Sequence, residues 1–399
     1  MYRLYCRVYQ FIYRVVVNFL PWRRPERLAD YAALVQLLQS QNIRAVLVVT
    51  DPGLVAIGLQ RDLLQTLTAA NIQPALFDQT VANPTIANIE AALALYQEQH
   101  CQAIVALGGG SPMDCAKGVG ARVARPHKTI PQMRGQLKVR HRMPLFIAIP
   151  TTAGTGSETT VACIVVDSAT QEKYAINDPA LIPHYALLDP QLTVGLPPFL
   201  TACTGMDALC HAVEAYLGGS NTHQTRADAL AAVGHIFPNL YLAYQDGRNL
   251  EARRKMQEAA FLAGAAFTRA YVGNVHAVAH TLGGQYNTSH GLANAVILPY
   301  VLEMYVSEHG ERVNQRLSEL AQAAGLPAAD PATAATNFIT TIRQLNTQMG
   351  IPDKISDLQA ADIPRLVKRA LHEANPLYPV PVIFGNTEMT AVYQKILEV

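Results

Sequence analysis

The sequence holds six cysteines in 399 residues, at 6, 101, 115, 163, 203 and 210, and no two form a CxxC pair. That excludes a disulfide scaffold and a thiolate zinc cluster, and it predicts reduced, buried thiols in a cytoplasmic protein. Charge is also scarce: 15% of residues are Asp, Glu, Lys or Arg, and the formal net charge is +1. No global field is available to recruit nucleic acid. Half of the residues are hydrophobic, so the chain is expected to pack rather than stay disordered, and its length suggests two domains. No apolar run is long and clean enough to cross a bilayer. The most hydrophobic stretch, MYRLYCRVYQFIYRVVVNFLPWRRP (1–25), is interrupted by Arg3, Arg7 and Arg14 and lacks a cleavage site of small residues. We read it as an amphipathic helical extension docked on the protein's own surface or on a partner subunit. A helix lying on a membrane surface is the less favoured alternative.

What is present divides in two. From residue 45 to about 190, β-rich runs at 45–51, 74–78, 103–111, 145–152, 162–167 and 185–190 alternate with helical spacing at 59–70 and 85–100. This pattern predicts βαβ units and a mostly parallel sheet. After GLPP (195–198), apolar residues recur at helical spacing, with helices expected over 199–217, 223–245, 249–270, 272–285, 291–308, 311–325, 331–349 and 362–371. The expected organisation is an extension (1–25), an α/β nucleotide-binding domain (26–195) and an all-helical metal-binding and catalytic domain (196–399), with a ligand cleft between the latter two.

The segment 103–110 is an apolar strand running into three consecutive glycines, Gly108-Gly109-Gly110, followed by Ser111-Pro112-Met113-Asp114. Glycines permit a tight turn and close backbone approach, Ser111 is expected to cap the next helix, and a helix N-terminus favours a pyrophosphate. Met113 replaces the third glycine of GxGxxG, so an ordinary βα turn stays open. A second loop, Pro150-Thr151-Thr152-Ala153-Gly154-Thr155-Gly156-Ser157-Glu158, carries four hydroxyls at a strand end and suits phosphate or ribose. Asp51 closes the first predicted strand; there a carboxylate would accept from ribose hydroxyls and repel a 2′-phosphate, favouring NAD over NADP, although a lone Asp at a strand end is more often a turn residue.

In the helical half, Asp207 and His211 are spaced i, i+4, as are His276 and His280, and His290 follows in NTSHGLAN. Each pair shares a helix face. A lone histidine on an apolar helix is usually a satisfied core residue. Three imidazoles and a carboxylate in an Ala/Val/Leu setting instead suit a borderline divalent ion, Fe(II) or Zn(II). There is no HExxH protease motif.

With GGGSPMDCAK, PTTAGTGSE, GMDALCHAVEAY and VHAVAHTLGGQY…HGLANAVILP in this order, the chain resembles the iron-containing (group III) alcohol dehydrogenase family from about residue 27 to its end. The resemblance implies the dehydroquinate synthase-like fold, homo-oligomers, and NAD- and metal-dependent interconversion of a small primary alcohol and its aldehyde. It implies Asp207, His211, His276 and His290 as metal ligands, with Fe(II) favoured and Zn(II) second, and His280 as a proton relay. Gly109, Gly110, Ser111 and Asp114 match the pyrophosphate loop, and Thr151, Thr152 and Thr155 the second nucleotide loop. Asp51 matches the ribose carboxylate, Asn83 and Lys173 further cofactor contacts, and Phe267 an aromatic beside nicotinamide and substrate. Ser289 stands where the family usually has Pro, which would loosen the loop before His290. A polyol dehydrogenase (glycerol or propanediol) is the nearest alternative. A lyase of the dehydroquinate synthase type would want Lys and Arg around its substrate, where this sequence is apolar. A non-catalytic scaffold would need neither ligand set nor cofactor loops.

Overall fold

A computed structural model describes residues 1–398 apart from 171 and 327. The chain forms two compact units, one of residues 21–152 and 156–193, the other of 1–20, 153–155 and 194–399.

The first unit is built on a parallel sheet of β1 (Glu26–Leu28), β2 (Ala45–Val49), β3 (Gln73–Phe77), β4 (Ala103–Gly108), β6 (Leu145–Pro150) and β9 (Tyr185–Leu187), in the order β1-β9-β6-β4-β2-β3. Every pairing is parallel. Helices α2 (Tyr31–Ser40), α3 (Pro52–Ala56), α4 (Arg61–Ala69), α5 (Ile86–Glu98) and α6 (Gly110–Ala124) belong to this unit. All six residues of β4 are buried, as a strand covered on both faces requires. Its side chains divide between two cores: Ile104 and Ala106 pack with Ile89 and Val119, while Val105 and Leu107 pack with Leu34 and Leu63.

One expected strand lies elsewhere. Ala162–Asp167 (β7) is outside the parallel sheet; it pairs antiparallel with β8 (Glu172–Asn177), which also pairs with the short β5 (Gly135–Gln136). In β7 buried and half-buried residues alternate, the mark of a sheet with one covered face.

The second unit is helical: α7 (Pro198–Leu217), α8 (His223–Gln245), α9 (Leu250–Ala270), α10 (Asn274–Tyr286), α11 (His290–Ala323), α12 (Pro331–Gln348), α13 (Ile363–Ala374) and α14 (Asn386–Ile396). Its axis is α7, buried almost throughout and packed against α8, α9 and α11. Small residues make that possible. A Cβ on Gly205 would fall 2.2 Å from Leu240 Cδ1, so glycine there lets the Leu240 side chain of α8 pack directly on the backbone of α7. The two helices expected over 291–308 and 311–325 are both present within the α11 span, separated by a kink where His309 leaves helical geometry (φ −143°, ψ 49°).

The N-terminal segment is a helix, α1 (Tyr2–Val17), packed on the helical unit through a narrow stripe. Cys6, Gln10 and Val17 are buried. Gln10 donates to Tyr378 O (2.6 Å), Arg7 to Val380 O and Pro381 O (2.7 and 2.6 Å), and Arg3 pairs with Glu388. Among the described residues no helix is long and apolar enough to cross a membrane. All six cysteines are buried and unpaired.

Candidate functional site

Three helices of the second unit supply the Asp/His set. Asp207 and His211 sit one turn apart in α7, His276 in the first turn of α10, and His290 opens α11. One ligand atom from each lies within 4.8 Å of all the others. The Nε2 atoms of His290, His211 and His276 stand 3.5, 3.9 and 4.0 Å from Asp207 Oδ1. These separations are too long for hydrogen bonds, but they suit ligands around one ion. Ligands about 2.1 Å from a tetrahedral centre lie about 3.4 Å from each other.

Two of the donors, His276 and Asp207, are bonded to buried neighbours. Glu214 Oε2 accepts from His276 Nδ1 (2.6 Å) and from Gly273 N (2.7 Å), and its Oε1 accepts from Val275 N (2.8 Å). One carboxylate thus caps the N-terminus of α10 and keeps the His276 proton on Nδ1, leaving Nε2 as a lone pair. Burial pushes the Glu214 carboxyl up to about 7 against these hydrogen bonds. Burial, then the neighbouring His211, His290 and His280 rings, drive the His276 imidazole well below its ordinary range, so it is neutral as a ligand must be. The Asn294 amide donates to Asp207 Oδ1 (2.7 Å) and lies 3.2 Å from Nε2 of both His276 and His290, while its buried Oδ1 has no partner. The donor set therefore fits a divalent ion. A second cluster, Cys210, Glu214 and His276, does not. Its carboxylate and Nδ1 are already bonded to each other, and burial holds the Cys210 thiol protonated.

His280 stands beside the set, partly exposed and stacked on His290 (5.2 Å, 15°). Its Nδ1 is 2.5 Å from Glu373 Oε1, which also accepts from Tyr378 OH (2.6 Å). Burial pushes Glu373 up, and His280, with Tyr378 and His290, more than offsets it, so the carboxyl stays below its ordinary value. Phe267 lies flat on His211 (4.0 Å, 12°). Ser289 has φ −54°, the value proline would impose, so the backbone before His290 keeps the conformation.

In the α/β unit the chain leaves β4 through Gly108 (φ +155°), where a Cβ would meet Pro112 Cγ at 2.5 Å. Helix α6 starts at Gly110 and its N-cap is Gly109, not Ser111 as expected. Gly108 turns the chain early, which puts Ser111 inside the first turn. There its Oγ accepts from Asn83 N (3.1 Å), and Lys173 Nζ donates to Asn83 Oδ1 (2.6 Å). Asn83, Ser111 and Lys173 are so brought together from three distant segments. With no side chain capping it, the N-terminus of α6 keeps N–H groups that suit phosphate oxygens. Asp114 is half-buried, and desolvation pushes its carboxyl up to about 6, opposed by Lys117. Lys117 is buried too, its ammonium donating to Ser157, Thr160 and Ala162 at 2.8–3.1 Å. Thr151 N donates to Gly108 O, and Thr152 lies 3.3 Å from a Cβ built on Gly109. Thr155 belongs to the helical unit. Asp51 Oδ1 caps α3 by accepting from Leu54 N (3.0 Å), the turn role open to it from the start.

Glu214, Asn294 and Glu373 escape the sequence reading. Glu214 is seven residues after Asp207 and three after His211 on one face of α7, and Asn294 is one turn after His290; both spacings were visible. Glu373 comes from 93 residues beyond His280, and no spacing announces it.

A parallel α/β unit, with a helical unit whose three imidazoles and one carboxylate converge, defines a two-unit protein with a candidate divalent-metal site. Comparison with known proteins agrees along the chain. Residues 29–190 match the family model "Iron-containing alcohol dehydrogenase", and residues 201–397 match "Fe-containing alcohol dehydrogenase family, C-terminal". The chain is 38% identical over 376 residues to "Alcohol dehydrogenase 4" of Saccharomyces cerevisiae, covering 94% of each. It superposes on a 1,3-propanediol oxidoreductase with a TM-score of 0.89 and 34% identity, covering 95% of this chain and 99% of the other. A sulfoacetaldehyde reductase from Bifidobacterium kashiwanohense, solved in complex with NAD+, aligns at TM-score 0.82 and 26% identity over 95% and 98%. The chain belongs to the iron-containing alcohol dehydrogenase family and is an oxidoreductase of that family.

Proposed function

We propose that the protein interconverts a small primary alcohol and its aldehyde, using NAD and one divalent ion, Fe(II) in first place and Zn(II) in second. The observation that carries this is the convergence of three imidazole Nε2 atoms on Asp207 Oδ1. A divalent ion there supplies Lewis-acid chemistry, making an alcohol hydroxyl acidic near neutral pH or polarising an aldehyde carbonyl.

The chain's own residues do the rest. Glu214 and Asn294 fix the donors, and Phe267 covers one face of His211 against water. His280, held by Glu373, is placed to pass the alcohol proton outward from Nε2. On the nucleotide side we assign the pyrophosphate to Gly109, Gly110, Ser111 and Asp114, with Asn83 and Lys173 beside it. Thr151, Thr152 and Thr155 serve the second loop, and Asp51 serves the ribose. Nicotinamide supplies the hydride acceptor. The division of labour is nucleotide binding by residues 26–195 and metal binding with catalysis by 196–399, in a homo-oligomer. Propanediol is the second substrate reading, since a structural relative is a 1,3-propanediol oxidoreductase.

The test is NADH formation from ethanol, butan-1-ol, propane-1,2-diol, propane-1,3-diol and glycerol by protein loaded with Fe(II) or Zn(II), with NADP in parallel. Metal-dependent turnover with NAD supports the proposal and ranks the substrates. Bound metal with no turnover on any alcohol would move the assignment to a lyase or a scaffold.

A further inference from the structure

Helix α1 sits inside out. Of the large hydrophobic side chains exposed among the described residues, eleven of seventeen lie in residues 1–19. At 100° per residue, the side facing the body carries Cys6, Gln10, Tyr13 and Val17, and Tyr13 meets Tyr271 edge-on at 5.4 Å. Next to it runs a stripe of Arg3, Arg7 and Arg14. The remaining half of the circumference is apolar and faces away from the protein: Leu4 (69% exposed), Val8 (51%), Phe11 (67%), Ile12 (56%), Val15 and Phe19, edged by Tyr2, Tyr5 and Tyr9. The three tyrosines form a ladder along one flank, with ring centroids 6.4 and 6.5 Å apart. An amphipathic helix stabilising only its own fold would bury that arc. Here polar side chains do the anchoring: Gln10 and Arg7 donate to the carbonyls of Tyr378, Val380 and Pro381. A continuous apolar strip about 24 Å long is left outside.

We propose that α1 is a membrane-docking helix, laying its apolar arc into the headgroup region of an anionic bilayer while the enzyme body stays in water. The helix is too short and too charged to cross the bilayer, but the arrangement suits one lying flat. Aliphatic and phenyl groups occupy the centre of the arc, tyrosines with wettable hydroxyls one edge, and on the other edge Arg14 is exposed and able to reach a phosphate, while Arg3 and Arg7 are bonded to the protein. Charge decides between a lipid surface and a second copy of the chain. No Asp or Glu occurs before Glu26. Arg312 lies close enough to Arg7 to act on its guanidinium, and Glu388 answers Arg3 alone. A second copy would bring the same arginine-flanked face against itself, whereas anionic headgroups complement it.

The experiment is co-sedimentation of the full chain with phosphatidylcholine vesicles, with and without phosphatidylserine, at low and high salt, beside a Phe11→Glu/Val15→Glu variant and an Arg14→Glu variant. Both altered surfaces are exposed, and circular dichroism and gel filtration check that the variants fold. The wild type is expected to sediment with the phosphatidylserine vesicles and to be released in part by salt. The double variant should bind about tenfold less or weaker still, and Arg14→Glu should lose only the phosphatidylserine-dependent part. The proposal is overturned by no sedimentation with either vesicle, or by binding that the double variant leaves unchanged. It is equally overturned by a lipid-free dimer that the double variant dissolves, since α1 would then be covered by a second copy.

Discussion

In the α/β unit the atoms suited to a ligand are mostly backbone: N–H groups at the start of α6, exposed because Gly108 turns sharply and Gly109 has no side chain to cap the helix. In the helical unit they are side chains, three of the four buried, with His276 and Asp207 aimed by bonded neighbours. The two constructions carry different costs. Backbone donors at a helix N-terminus need only an unobstructed approach, so glycine suffices. Buried imidazole and carboxylate groups must be desolvated, so they persist only with partners such as Glu214 and Asn294. The helical unit should therefore be the more sensitive to single substitutions, and the two units should fail independently.

The largest expected effect is His276→Ala. It should remove the metal and lower alcohol turnover by about a thousandfold or more, a loss of several kcal/mol of Lewis-acid stabilisation. Metal analysis and initial rates check it, while NADH binding, followed by fluorescence, should stay near wild type. Coupled loss of NADH binding would break the independence of the two units. Next is Glu214→Gln, which removes the charge and leaves a single acceptor oxygen where Glu214 offers two to the N–H groups of His276, Gly273 and Val275. Metal affinity should fall about 10- to 100-fold in a competition titration with a chelator; unchanged affinity would show that Glu214 only caps α10. On the other side, Asp51→Asn keeps the cap of α3 and removes the charge. It should narrow the preference for NAD over NADP by about tenfold with metal content unaltered. Equal kcat/KM ratios in the two proteins would leave Asp51 as a cap and nothing more.

The smallest effect concerns stability. His184 Nδ1 accepts from Phe146 N, and burial, then Arg23 and Arg142, hold its imidazole down at about 4, against 6.5 ordinarily. The native state stays neutral there while the unfolded chain takes up a proton. The stability from His184 is thus present above pH 6.5 and lost as pH falls from 6.5 towards 4. Because the ring is partly exposed, about 1–2 kcal/mol is expected. His184→Gln should flatten that part of a denaturant-midpoint profile against pH; an unchanged slope would remove His184 from the account.

The metal set was legible because helices write proximity into sequence: i, i+4 pairs must share a face, and apolar neighbours mark them as buried. The parallel sheet was legible from continuous apolar runs such as Ala103–Gly108. Two features of the α/β unit were not. Ser111 reads as a cap, yet the turn at Gly108 starts the helix before it. Residues 162–167 read as one more parallel strand because strand propensity carries no partner. Glu373 reaches His280 only through tertiary packing. In α1, periodicity locates the apolar arc, but only the structure shows which side meets the protein.

The central claim is that Asp207, His211, His276 and His290 hold one ion. Anomalous diffraction from crystals of the protein, with data on either side of the iron and zinc absorption edges, tests it most directly. The account predicts a single strong peak per chain, about 2.1 Å from Asp207 Oδ1 and the three Nε2 atoms. A peak elsewhere, or none in crystals whose protein turns over alcohol, would contradict it.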